Sequence, residues 1–174
     1  WGLDLGPQEQ TSPWHSIRLI AEQDQSTDAL EQLDALRNAI FRILETQLRA
    51  RHAAAGILKQ DQPAERTATA GDVRTRQVGV QKESIALVKS IGRTDRRERL
   101  AIKRILNVLA FGEMLHAVRQ CDDLIEVDAT DRFDRPVGGL LATQDRIIDV
   151  LRKLLDVTRQ AQREVLAEMK KRPG

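Results

Sequence analysis

Through the C-terminal third of the chain, apolar residues return every seven positions. Leu141, Ile148, Leu155, Gln162 and Met169 form one line, and Gln144, Leu151, Thr158 and Val165 form an interleaved one. Leu140, Ile147, Leu154 and Ala161 widen the pair into a broad face. Seven residues are close to two helical turns, so the three lines share one side of a long helix. A face this wide needs several neighbouring helices to cover it, which a simple two-stranded zipper does not supply. The periodicity therefore commits the chain to an all-α bundle.

Composition agrees. Aromatic residues make up 3% of the 174 positions and Tyr is absent, so the core is built from Leu, Ile, Val and Ala, as in helical bundles. The length suits one domain with a continuous core. Charged residues reach 31%, but 28 Lys and Arg stand against 26 Asp and Glu, and a net charge of +2 does not point to a general polyanion partner such as nucleic acid. The single Cys121 excludes an intrachain disulfide. No apolar run approaches the roughly 20 residues that span a bilayer. The chain begins with Trp1 and carries no basic-then-apolar leader, as expected of a processed product or a piece of a longer protein.

Four helices are expected. The first spans 28–60, opened by Asp28 and Glu31 at capping-box spacing and closed before Pro63, with Leu33, Leu36, Ile40, Ile43, Leu44, Leu48, Ala54, Ile57 and Leu58 on its buried face. The second spans 72–91, with Val73, Val80, Leu87 and Ile91 inward and Gly79 weakening it. Gly92 suits a C-cap, and Thr94 or Asp95 suits the next N-cap. The third spans 95–121 and carries apolar residues on more than one face from Ile105 to Leu115. It is therefore either the most buried helix or one whose second face meets a partner. The fourth spans 136–171, with Pro136 at its start and Lys170 and Lys171 at its negative end. The short link at Gly92 favours an antiparallel hairpin, with a kinked continuous helix as the alternative. Residues 1–27, with Gly2, Gly6, Pro7 and Pro13, read as an irregular arm. Within it Ser16–Ala21 has the pattern of a short strand or strap, and Trp1 and Trp14 are expected to cover exposed seams. Residues 28–174 then form a single bundle domain.

Catalytic signals are sparse. Glu113-Met114-Leu115-His116 is the one Glu-x-x-His, but carboxylate-bridged metal bundles need two such motifs and further Glu residues. Cys121 and His116 are five residues apart and do not share a helical face. No phosphate-binding Gly loop, nucleophile elbow or zinc pattern is present. Neither a cofactor nor a small-molecule substrate is indicated, and no enzyme activity is expected. The densest basic stretch, 89–104, offers Arg93, Arg96, Arg97, Arg99, Lys103 and Arg104 as a candidate site for nucleic acid phosphates or lipid headgroups, although it contains no aromatic to stack bases.

Ile17-Arg18-Leu19-Ile20-Ala21-Glu22 followed by long helices resembles the arrangement in large uncharacterised bacterial envelope proteins, where β-rich modules join a long helical region. That resemblance implies an extracytoplasmic scaffold and carries over no functional residue.

The expected role is a structural or protein-interaction module: a spacer, scaffold or oligomerisation unit whose partner is another protein or a second copy. The first and last helices are longer than the second can cover. The more polar end of the last one, at Gln162, Val165 and Met169, is the expected interaction face. A binder of anionic surfaces through the basic stretch is the alternative, and a helical-bundle metal protein is the third.

Overall fold

The computed structural model describes residues 13–94, 96–126 and 133–171, with side chains from residue 25 onward. Every regular element among them is helical. Helix α1 (Pro13–Gly56) runs into a 3-10 turn at Ile57–Lys59, and α2 (Pro63–Ile91), α3 (Arg97–Phe111), α4 (Glu113–Glu126) and α5 (Asp134–Lys171) follow. Only Gly112 separates α3 from α4. The Gly112 N–H still reaches the Val108 carbonyl and the His116 N–H reaches the Gly112 carbonyl, both at 2.9 Å. The two helices are thus one bent rod, and the bundle has four rods.

Cross-links between rods fix their order. Arg37 meets Gln162 and Arg51 meets Asp145 between α1 and α5. Arg74 pairs with Asp122 between α2 and α4, and Glu113 pairs with Arg146 between α4 and α5. Between α1 and α5 numbers rise on one partner as they fall on the other, and Gln81 reaches Ala110 where Arg74 reaches Asp122, so α1 with α5 and α2 with the bent rod run antiparallel. Helix α1 packs along α2 and α5, and the bent rod faces it across the diagonal, reached from α1 through Gln32, which accepts from Arg99.

Each rod contributes a stripe. On α2 the buried positions are Ala70, Val73, Gln77, Val80, Ser84, Leu87 and Ile91, an unbroken alternation of three- and four-residue steps. On α5 they are Val137, Leu140, Thr143, Gln144, Ile147, Ile148, Leu151, Leu154, Thr158 and Ala161. The centre of the α5 stripe therefore lies between the Leu140 and Gln144 lines, while Leu141 and Leu155 are only half-buried. One apolar cluster runs from Leu36 through Leu154 and includes Met114, Cys121 and Phe133. Phe133 closes one end under the guanidinium of Arg66, 5.4 Å from its ring centre, a cation–π contact.

Several boundaries differ from expectation. From Pro13 onward the arm is helix, so Ser16–Ala21 is neither strand nor strap, while Trp1 and the side chain of Trp14 lie outside the described residues. Pro13 opens the helix at a position where its missing N–H costs nothing, and residues 14–27 contain no Gly or Pro to stop it. Asp28 and Glu31 lie inside α1 and cap nothing. Pro63 likewise starts α2, nine residues earlier than 72. At the next start the Thr94 hydroxyl accepts the Arg96 N–H at 3.3 Å, and Asp95 lies outside the described residues. The expected third helix, 95–121, is instead divided at Gly112 and extends to Glu126. A Cβ at Gly112 would sit 2.8 Å from the Val108 carbonyl oxygen, so the bend requires glycine there. Leu48 and Leu58, expected inward on α1, are exposed, and Gln47 and Ala50 take the inward positions.

Candidate functional site

The bend at Gly112 opens a groove of about 900 Å³ between the α3–α4 rod and α5. Its floor descends from the sequence pattern. Ile102, Leu106, Leu109 and Ala110 turn one side of α3 into the core, and the apolar residues between them must then face out. Val108 is 73% exposed, Phe111 57% and Ile105 41%. Leu115 on α4 continues this line, and Val150 on α5 forms the opposite wall. Ile105, Val108 and Phe111 recur at three-residue steps and Leu115 at four, which is the spacing of a single helical face. Together they leave a contiguous line of large apolar side chains exposed along the groove.

The rim is basic. Arg104 stands beside Ile105 at one end, Arg119 lies one turn beyond Leu115 at the other, and Arg146 rises from α5. Arg146 is held by Glu113, with Nη2 donating to Oε2 at 3.1 Å, and it also donates to the Thr143 hydroxyl at 3.1 Å. Arg104 and Arg119 make no ion pair among the described residues. Glu113 and His116, the Glu-x-x-His pair, are therefore both groove residues, and Glu113 is occupied in orienting Arg146. Among the described residues no group of three or more His, Cys, Asp or Glu side chains is placed to hold a metal ion. No helix among them is long and apolar enough to cross a membrane.

The basic stretch is divided by the fold. The Lys103 ammonium donates to the Gly92 carbonyl, and Arg99 donates to the Ile91 carbonyl at 3.4 Å and to the Gln32 side chain. Both cations thus cap the negative end of α2, where its last carbonyls have no helical partner. Gly92 turns the chain there with φ of 61°, a conformation that side-chain-bearing residues rarely adopt. Arg93, Arg96 and Arg97 remain exposed at the turn, and Arg104 faces the groove. The six candidate anion ligands therefore do not converge on one point.

At the far end of α5, Gln162 is engaged within the chain: it accepts from Arg37 at 3.4 Å and donates to Asp34 at 3.1 Å. Val165 and Met169 are half-buried, and Leu166 is the exposed apolar residue between them.

Cys121 is fully buried in the core, and burial, aided by the neighbouring Asp122 carboxylate, pushes its thiol up to about 12. At neutral pH it is a protonated, inert filler of the core. Beside these sites lies a polar layer of which the sequence pattern marks only Gln144, on the α5 stripe. Gln47, Gln77 and Gln144 are all wholly buried, and they join α1, α2 and α5 by side-chain amides. For Gln47 and Gln77 the signal is positional: each occupies a stripe position that an apolar inventory skips.

No protein family matches this chain, and neither curated proteins nor solved structures match it.

Proposed function

We propose that the chain is a non-catalytic protein-interaction module, an antiparallel bundle that holds the Gly112 groove rigid so that a partner protein can dock in it. The exposure of Val108, Phe111 and Ile105 along one line supports this reading. A closed bundle gains nothing from leaving them in water, whereas burying each on a partner is worth up to about 1.5–3 kcal/mol. The basic turn is a weaker candidate, because Arg99 and Lys103 are already committed to α2's carbonyls.

The test is a selection from a randomised peptide display library on the wild-type chain, with counter-selection on the Val108→Asp variant. The substitution is at an exposed site and leaves the core intact. Peptides with helical apolar spacing, retained by wild type and lost on the variant, are the expected result. Peptides that hold both proteins equally would overturn it.

A further inference from the structure

We infer that the occupant of this groove is an amphipathic α-helix with acidic residues at both ends of its apolar stripe. The inference rests on the docking reading above and adds the chemistry of the partner. Three observations carry it.

The first is the backbone. The groove is walled by α3, α4 and α5, whose interior N–H and C=O groups are satisfied within their own helices. An extended peptide entering it would find no strand edge and would leave its own backbone groups unpaired. A helix brings its hydrogen bonds with it and can lie along the seam as a fifth rod.

The second is the spacing. Arg104 and Arg119 are about four helical turns apart, with Ile105, Val108, Phe111 and Leu115 between them. The complementary helix places apolar residues at i, i+3 or i+4, and i+7, with a carboxylate beyond each end of that stripe.

The third is charge. Arg104 and Arg119 are unpaired among the described residues, and Glu113, the one acidic residue in the groove, is already bound to Arg146. An acidic helix completes this rim, and a basic one meets two unneutralised guanidinium groups. Anionic lipid would also meet the arginines, but a bilayer is flat and the apolar residues here line a concavity.

The experiment uses three synthetic 18-residue peptides with one apolar stripe of Leu and Phe and with Glu, Gln or Lys at the polar positions. A fourth peptide has the composition of the Glu peptide in scrambled order. Binding to the whole chain is read by fluorescence anisotropy in low and moderate salt. The Glu peptide is expected to bind best, about tenfold or more tighter than the Lys peptide. Arg104→Glu with Arg119→Glu is expected to reverse that ranking, Val108→Asp to abolish binding of all, and the scrambled peptide to fail.

Equal binding of the three ordered peptides that Val108→Asp still abolishes would overturn the acidic assignment and leave the docking reading standing. Binding that is absent, or indifferent to Val108→Asp, would overturn both. Phosphatidylglycerol vesicles that bind the chain in a Val108-dependent way while the peptides do not would reassign the groove to a membrane surface. A concentration-dependent dimer in sedimentation equilibrium, lost in Val108→Asp, would reassign it to a second copy. Either result overturns the acidic-helix inference.

Discussion

Gln47 and Gln77 exchange two hydrogen bonds inside the core, Nε2 of Gln77 to Oε1 of Gln47 at 2.9 Å and the return bond at 3.2 Å. Gln144 adds a third to the same Gln77 oxygen at 3.3 Å, and its own Oε1 has no protein partner. A buried amide cluster is a poor source of net stability, since each bond replaces one to water. It is instead specific: shifting any of the three helices by a turn strands the amides, whereas apolar layers tolerate such slippage.

Substitution at one member should therefore cost more than substitution of all. Gln77→Met leaves two amides unpaired, and we expect about 1–3 kcal/mol of destabilisation in urea unfolding for each unsatisfied group. The triple variant with Met at 47, 77 and 144 should recover most of that loss. A triple variant as unstable as the sum of three single losses would show that the cluster is a major net stabiliser.

Two glycines should respond in opposite directions to alanine. At Gly79, inside α2, a Cβ would meet nothing within 4 Å, so Gly79→Ala should gain about 0.5–1 kcal/mol from helix propensity. At Gly112 the 2.8 Å approach of Val108's carbonyl oxygen is to backbone and cannot be relieved by a rotamer change. Gly112→Ala should lose about 1–3 kcal/mol, as overpacked sites do, and should weaken binding in the groove. Thermal melts of the two variants side by side make the comparison.

Cys121 should resist Ellman's reagent in the native state at pH 8 and react on addition of denaturant. Its folded thiol is pushed up to about 12 from an ordinary 9.0, so above pH 9 the unfolded state releases a proton that the folded state keeps. Its contribution is complete below pH 9 and declines as pH rises toward 12, by up to about 1.4 kcal/mol per pH unit. A Cys121→Ala variant should lack that part of the alkaline slope, and parallel slopes from pH 8 to 10 would contradict the assignment.

On the acid side, Arg51 donates to both oxygens of Asp145, at 2.9 and 3.3 Å, and this hydrogen bonding holds the carboxyl below its ordinary 3.8. The contribution is present above that value and is lost as pH falls through the lowered one. Both groups are partly exposed, so Asp145→Asn should cost under about 1 kcal/mol at pH 7. The gap from wild type should close as pH falls below that ordinary value in acid unfolding curves.

Periodicity made the rods legible. Leu140, Ile147 and Leu154, like Val73, Val80 and Leu87, are core residues because an apolar side chain at seven-residue spacing has one place to go. What escaped was set by neighbours rather than by pattern. Gln77 and Ser84 hold stripe positions on α2, but their polarity hides them: Gln77 is satisfied by Gln47 and Gln144 on neighbouring helices, and Ser84 by the Val80 carbonyl one turn back on its own. The two starts at Pro13 and Pro63 were misread because proline stops a helix from within and opens one from its first turn. The groove was half visible: apolar residues on two faces from Ile105 to Leu115 announced either deep burial or a partner, and only the placement of α5 decides between them.

Because the bent rod is two stiff pieces joined at one residue, the angle at Gly112 sets positions far from it. The far end of α3 lies about 22 Å from Gly112, so a rotation there of about 5° carries that end through about 2 Å. That half of α3 carries Arg99 and Lys103, which donate to the Ile91 and Gly92 carbonyls at the end of α2. The angle of the groove and the seating of α3 on α2 are therefore set together, and the two cations at the end of α2 help to hold the groove at one width.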